Sequence, residues 1–566
     1  MKMKKTSVSN WFKSGEPWVW LNAGAVAISV IMVIGLLLLI AVRGLGHFWP
    51  ADIIEARYEL PGQPAYNLVA ERVESVDVPT AQLREAGIDI PEGEAFMQRT
   101  LVKTGNRDIY GSDFRWVVDA FLSDVRKPEM LIAAERHEWG NLYGYIKEVK
   151  EAGVVIAETE DKTPTESALA TWQAFEASIE RATEIHDDIY QIEKHDIGAI
   201  NHGLERLRLK QRRYELNNKL TPEALADLDA ERAELDIEYK GLQQQLITLY
   251  GEINRDTVVF EAMDGTVLEL NVAKVVRAYR PNAMNGFGKI GFYGDKLWEF
   301  LSAEPREANT EGGVFPAIFG TVMMVLLMTI LVTPFGVVAA VYLREYASQG
   351  WFTRVIRIAV NNLAGVPSIV YGVFGLGFFI YFMGSSIDQA FFPEALPAPT
   401  FGTGGLMWAS ITLALLTVPV VIVATEEGLS RIPRNVREGS LALGATKAET
   451  LWRVVLPMAS PAIMTGVILA VARAAGEVAP LMLVGVVKLA PSLPLDGNYP
   501  FIHLDQKFMH LGFHIYDVGF QSPNVEAARP LVYATALLLV IVIALLNFAA
   551  VTIRNHLREK YKSLEM

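Results

Sequence analysis

Residues 426–467 read EEGLSRIPRNVREGSLALGATKAETLWRVVLPMASPAIMTGV, and the architecture turns on how this stretch is read. Glu438 to Leu443 is helical in character, and Gly444 allows a tight turn or a close backbone approach after it. Thr446, with Glu449 three residues on, makes a capping box for a second short helix. Pro457 and Pro461 are expected to end that helix before the next apolar run begins. The whole is a charged helical elbow between two long apolar runs. Such an element can sit in a groove of a partner and pass on rigid-body movement.

Working outward, the apolar runs are long enough to cross a bilayer, which takes about 20 residues as a helix. They are residues 17–42, 312–343, 358–387, 395–425, a fifth from near Met458 that meets Arg473 and Glu477 inside it, and 530–553. The first run lacks a small-residue cleavage pattern and is followed directly by Arg43, so it is read as an uncleaved anchor. Six spans put four basic segments on one side. These are the MKMKK amino end, Arg344 to Arg357, the elbow with Arg431, Arg434, Arg437, Lys447 and Arg453, and the RNHLREKYK carboxyl end. By the positive-inside tendency that side is the cytoplasm, with both termini in it.

The elbow resembles the coupling-helix signature of ABC importer permeases: Glu-Ala-Ala, three residues, Gly, nine residues, a β-branched aliphatic, one residue, Leu-Pro. Glu438-Gly439-Ser440, Gly444, Val454 and Leu456-Pro457 fill those places at matching spacing, with Gly439 and Ser440 standing where the family has alanines. Leu443 and Ala445 flank the glycine and complete the expected ATPase-coupling set. TGVILAVARAAGEVAPLMLVG, 465–485, looks like the fifth span of phosphate importer permeases of the A type, and NNLAGVPSIVYGVFGL, 361–376, looks like their third. The resemblance covers roughly 312–566 and the first span, but not about 55–305. It implies a bacterial inner-membrane protein working with a second permease subunit, a homodimer of ATP-binding subunits and a periplasmic phosphate-binding protein.

The residues add to this. Arg473 and Glu477 are four apart, so they are expected to share one helix face. An ionised pair within a span usually faces a bundle interior or a polar path, and a guanidinium suits a phosphate oxyanion. Packing alone is the competing account of the pair. Asn361, Asn362 and Ser368 are candidate donors to the same path, with capping or interhelical hydrogen bonding as the alternative. No GxxxxGK[ST] loop is present, so ATP hydrolysis falls to a partner and the chain is not read as an enzyme. The absence of cysteine excludes disulfides, thiolate metal sites and cysteine nucleophiles; no metal site or cofactor is expected. A net charge of −13 argues against nucleic acid. Permeases for sulfate or molybdate, and a membrane-anchored envelope scaffold, are the alternative readings.

The fold class expected is an all-α six-helix membrane bundle with a large α/β insertion outside the membrane. The division expected is 1–43 for the amino end and first span, 44–311 for the insertion, and 312–566 for the permease core with its coupling loop 426–460. Within the insertion, 66–80 and 257–272 have strand character, with Asp264-Gly265 as a hairpin turn. Leu225, Leu228, Arg232, Leu235, Tyr239, Leu242, Leu246 and Leu249 make a heptad seam. Together with a preceding helix over about 166–215, this predicts an antiparallel coiled-coil hairpin, about 166–250, projecting from a small β-containing base. His186, His195 and His202 are read as surface histidines.

Overall fold

The computed structural model describes residues 14–85, 87–88, 95–522 and 525–561. The basic MKMKK end and residues 562–566 lie outside the described residues.

Among the described residues six helices are long and apolar enough to cross a membrane: Glu16–Gly46, Phe315–Tyr346, Ser368–Phe391, Leu406–Arg431, Lys447–Ala475 and Ala528–Glu559. The fourth is the central one, and it packs against the second and the fifth. Its interior face carries Leu406, Trp408, Ala409, Leu413 and Leu416, all buried with Met324 and Met328 of the second span and Ala470 and Ala474 of the fifth. The first span stands apart, its apolar surface facing outward along most of its length. It leans on the sixth at Gly44, where a Cβ would come within 2.9 Å of the Ala534 backbone; close backbone approach of this kind holds spans together where lipid offers no hydrophobic drive.

Two expectations about span ends do not hold. Residues 358–387 form no single helix. Trp351–Leu363 is a separate helix, the chain turns through 364–367, and the third span starts at Ser368, because Pro367 disfavours helical backbone in the residue before it. Pro457 and Pro461, in turn, do not end the elbow's second helix. The chain runs helical from Lys447 to Ala475. A π-helical turn at Leu451–Val455 widens the backbone just ahead of Pro457, which relieves the clash between the proline ring and the carbonyl four residues back.

The insertion carries two antiparallel sheets of one topology. In the first, β1 (Ile53–Tyr58), β2 (Tyr66–Pro79), β3 (Phe96–Lys103), β4 (Phe114–Val118) and β5 (Leu122–Arg126) lie in the order β4-β3-β2-β1-β5. In the second, β6 (Ile132–Arg136), β7 (Leu142–Glu151), β9 (Asp256–Glu261), β10 (Val267–Asn271) and β11 (Val275–Tyr279) lie in the order β10-β9-β7-β6-β11, with β8 (Val154–Glu158) added to β7. In each, a 3-10 turn (Asp119–Phe121, Val272–Lys274) swings the last strand back onto the first. The β9–β10 hairpin turns at Asp264-Gly265 as expected, with Gly265 at φ +81° and Asp264 accepting from the Thr266 amide at 3.0 Å.

Between β8 and β9 runs a helical arm: Glu166–Tyr190, a π-helical turn at Gln191–Asp196, Ile197–Leu216, then Pro222–Ile253 folding back beside them. Thr221 caps the returning helix, accepting from the Ala224 amide at 3.2 Å. On the first arm helix Phe175, Ala182 and Ile189 are buried in the second sheet's core, with Ile179 partly buried against it. Of the heptad seam, Leu228 and Leu246 are buried, whereas Leu225 is exposed.

The arm does not project freely. It lies across the loops on its side of the permease bundle. Lys194 Nζ donates to the Pro491 carbonyl at 3.2 Å, the His202 ring meets the Tyr499 carbonyl at 2.9 Å, and Arg213 Nε donates to buried Glu394 at 2.9 Å. His186 is likewise no free surface group, since it stacks on His137 with ring centroids 4.8 Å apart; His195 is exposed.

Acid is expected to loosen this insertion. Burial, with the neighbouring His186 and Arg306, lowers His137 to about 4 against 6.5 for the free side chain. The unfolded chain therefore takes up a proton that the folded one refuses, and stability falls as pH drops from 6.5 towards 4. Hydrogen bonds from Lys127 and Lys289 hold the Asp52 carboxyl below its ordinary 3.8, a contribution present above that value and lost as pH falls below it. Amide exchange in β6, corrected for intrinsic rate, is expected to be faster at pH 4.5 than at pH 7; equal protection at the two would contradict the burial of His137.

Candidate functional site: the elbow and the facing helix breaks

The elbow forms as its residues dictate. Arg434–Ala442 is helical, and Gly444 turns the chain at φ +87°, a left-handed conformation that costs a side-chain-bearing residue about 1–2 kcal/mol. Thr446 and Glu449 make the capping box in both directions, at 3.2 Å and 2.9 Å. Ser440 and Thr450 hydroxyls bridge the two helices at 2.9 Å. Leu429, Ile432, Leu451, Val455 and Ala459 close a small apolar core beneath the turn. Above it the tip is bare: Leu443 is 91% exposed, and Leu441, Glu438 and Trp452 are exposed beside it. Ala445, Val454, Leu456 and Pro457 are half-buried and form the support.

The residues that fasten the elbow to the bundle went unrecognised at the sequence level, where they counted only as positive charge. Arg437 Nη2 lies 3.0 Å from Glu345 Oε1 at the end of the second span, and the same guanidinium donates to the carbonyls of Leu429 at 2.7 Å and Ile432 at 3.2 Å. Lys447 donates to the Glu345 carbonyl and sits 4.5 Å over the Tyr346 ring. Beside them, Arg357 pairs with Glu426 at 3.1 Å and donates to the Leu343 carbonyl at 3.1 Å. The second span, the Trp351–Leu363 helix, the fourth span and the elbow are thereby pinned together. The only sequence hint was Arg437 lying directly before Glu438, where the signature begins.

Arg473 and Glu477 do meet, at 3.6 Å, but not on one helix face. The fifth span ends at Ala475, and Glu477 follows the turn, its amide reaching back to the Ala474 carbonyl at 3.2 Å. The chain then runs against the third span, with Pro480 packed so closely on Gly372 that a Cβ there would lie 2.7 Å from its Cα. Two helix breaks, 364–367 and 476–480, thus flank the first turns of the third span, which Ser368 begins. Asn361 and Asn362 are not part of this. They lie exposed on the Trp351–Leu363 helix, and Asn361 lines a groove with Arg357, Glu426 and Glu427 on the elbow side. Helix breaks of this kind free backbone groups and, where they line a cavity, let those groups meet a solute.

Residues 332–563 match the family of binding-protein-dependent transport system inner membrane components. The chain is 37% identical over 247 residues to phosphate transport system permease protein PstA 1 of Mycobacterium tuberculosis, a match covering 43% of this chain and 71% of that one. It is 32% identical over 260 residues to PstA of Yersinia pestis, covering 46% and 78%. The chain belongs to the PstA/PstC family of ABC-importer permeases. It is also 31% identical over 223 residues to the probable ABC transporter permease protein YqgH of Bacillus subtilis, covering 39% of this chain and 66% of that one. Among solved structures, an inward-facing form of the MetNI methionine ABC transporter aligns with a TM-score of 0.32 at 20% identity, over 43% of this chain and 94% of that one. The family match begins beyond the insertion, within the second span. As a permease of this family the chain couples to a partner ATPase and performs no hydrolysis of its own.

Proposed function

We propose that this permease forms one half of the path of an ATP-driven importer of inorganic phosphate, the other half being a second permease subunit. The observation that carries the reading is the elbow: a bare apolar tip on a base pinned to the second and fourth spans, which suits a rigid lever driven by an ATPase dimer. Glu438, Leu443, Gly444, Ala445, Val454, Leu456 and Pro457 make and carry that contact in this reading. The elbow side is the cytoplasm, with both termini there, in a bacterial inner membrane. A periplasmic phosphate-binding protein delivers the anion from the opposite side, where the arm, read as an antiparallel coiled-coil hairpin, stands over the permease loops and offers it a docking face.

Arg473 takes the anion at the level of the facing helix breaks, with Ser368 as a further donor and Glu477 holding the guanidinium or accepting a proton from a partly protonated phosphate. Asn361 and Asn362 would serve at the cytoplasmic exit. The chemistry suits a small oxyanion because an internal path must replace its hydration shell with donors, and a guanidinium supplies several. The named relatives supply phosphate as the substrate to test first.

The test is ATP-dependent uptake of labelled phosphate into vesicles holding the assembled complex, with sulfate and molybdate as competitors. Wild-type uptake resists both competitors. Arg473→Ala lowers uptake at least tenfold, since a hydrogen bond to a charged group is worth about 1.5–3 kcal/mol, while ATP hydrolysis persists. Competition by sulfate or molybdate would move the substrate to another oxyanion. Normal uptake by Arg473→Ala would leave the arginine a packing residue.

A further inference from the structure

Between the second sheet and the second span lies the helix Gly286–Ser302, GFGKIGFYGDKLWEFLS. Its amphipathic pattern is inverted. Of its four charged residues, Lys289, Lys296 and Glu299 turn towards the protein, and Asp295 alone is exposed. Lys289 pairs with Asp52, Lys296 with Glu135 at 2.7 Å, and Glu299 with Arg306 at 2.7 Å. The outward stripe is apolar: Phe287 is 87% exposed, Ile290 59% and Trp298 70%. At 100° per residue these three fall on one side, with Gly291 and Gly294 between them opening onto empty space. A helix washed by water on that side would carry its charges outward and its rings inward.

What covers the stripe follows from where the helix is tied. Its carboxyl end meets the second span, with Val314 donating to the Phe300 carbonyl at 2.8 Å and Phe315 to the Ala303 carbonyl at 3.2 Å. Its inner face packs on the residues leaving the first span. The Phe300 ring lies 5.0 Å from Phe48, and Tyr293 lies 6.1 Å from Trp49. The helix is therefore anchored where two membrane-crossing helices emerge, and one of these, the first span, is itself apolar and exposed along most of its length. Tryptophan and tyrosine at that level are what a bilayer interface selects.

We propose that Gly286–Ser302 is an interfacial helix, its Phe287, Ile290 and Trp298 side buried in the outer lipid leaflet. It enters the headgroup and upper acyl region, at a depth of about 5–10 Å. The insertion is then held to the membrane by a third element besides the first and second spans, and that contact sets the height at which the arm crosses the permease loops.

The chain has no cysteine, so single-cysteine variants can be spin-labelled directly. Phe287→Cys, Ile290→Cys and Trp298→Cys are compared with lipid-facing Leu36→Cys and with Glu234→Cys on the exposed side of the arm. The full chain is placed in phosphatidylethanolamine–phosphatidylglycerol vesicles, alone and with its partner subunits. Collision with oxygen, which partitions into lipid, is measured against collision with a water-soluble nickel chelate. All three helix sites are expected to show an oxygen-to-nickel ratio close to that of Leu36→Cys and well above that of Glu234→Cys, in both preparations. A ratio matching Glu234→Cys would put the stripe in water and overturn the proposal. Shielding from both reagents would put it against another protein and overturn it equally. The test does not depend on which anion is carried, so its failure is distinguishable from failure of the transport reading.

Discussion

Replacing Leu443 with aspartate is expected to abolish ATP-driven uptake while leaving the chain folded and inserted. Leu443 is 91% exposed at the tip of the elbow, so its loss removes almost no internal packing. In the groove of an ATPase, burying a leucine is worth about 1.5–3 kcal/mol, and a carboxylate in its place adds a desolvation penalty. Central anchors of this kind commonly cost 2 kcal/mol or more when truncated, a loss of roughly thirtyfold in affinity. The variant should reach the membrane at normal level, fail to retain the ATPase subunit on purification, and show no ATP-dependent uptake. Uptake at the wild-type rate with normal retention would show that the tip is not the contact.

Arg437→Ala is expected to act differently, by loosening the elbow rather than blunting it. The variant loses the 3.0 Å pair with Glu345 and the two hydrogen bonds to Leu429 and Ile432. Glu345 is left largely buried with its backbone carbonyl still held by Lys447 but its carboxylate unpaired. Removing one member of a buried pair costs about 3–5 kcal/mol, and the residual exposure of both groups places this case near the lower end. The ATPase subunit should still bind, because the tip is intact. ATP hydrolysis should persist while uptake falls, so the ratio of phosphate moved to ATP split drops. Glu345→Gln, which keeps a neutral hydrogen-bond acceptor at the same place, is expected to recover part of that ratio. An unchanged ratio in Arg437→Ala would show that the elbow is held by its apolar core alone.

The lever is thus built from a signature that local sequence encodes and a fastening that it does not. Gly444, Thr446 and Glu449 act within one turn of each other, so their spacing is enough to read the turn and the capping box. Arg437 and Glu345 are 92 positions apart, and nothing local distinguishes a pinned arginine from the basic residues that merely face the cytoplasm. The prolines show the opposite limit. Pro457 and Pro461 carry a strong local preference to end a helix, but the fifth span continues through both, the widened turn at Leu451–Val455 sitting just ahead of Pro457.

The number of spans, the place of the elbow and the existence of a mixed insertion followed from the chain's own pattern, because apolar length, turn residues and capping act over short range. The level at which the third and fifth spans break against each other came only from the tertiary structure. So did the shared topology of the two sheets, the seating of the arm on Glu394, Pro491 and Tyr499, and the outward turn of Phe287, Ile290 and Trp298. Each of these depends on contacts between residues far apart in the chain. An arm of two amphipathic helices looks the same in sequence whether it stands free or lies across a neighbour, and the difference rests on a few long-range bonds such as Arg213 to Glu394.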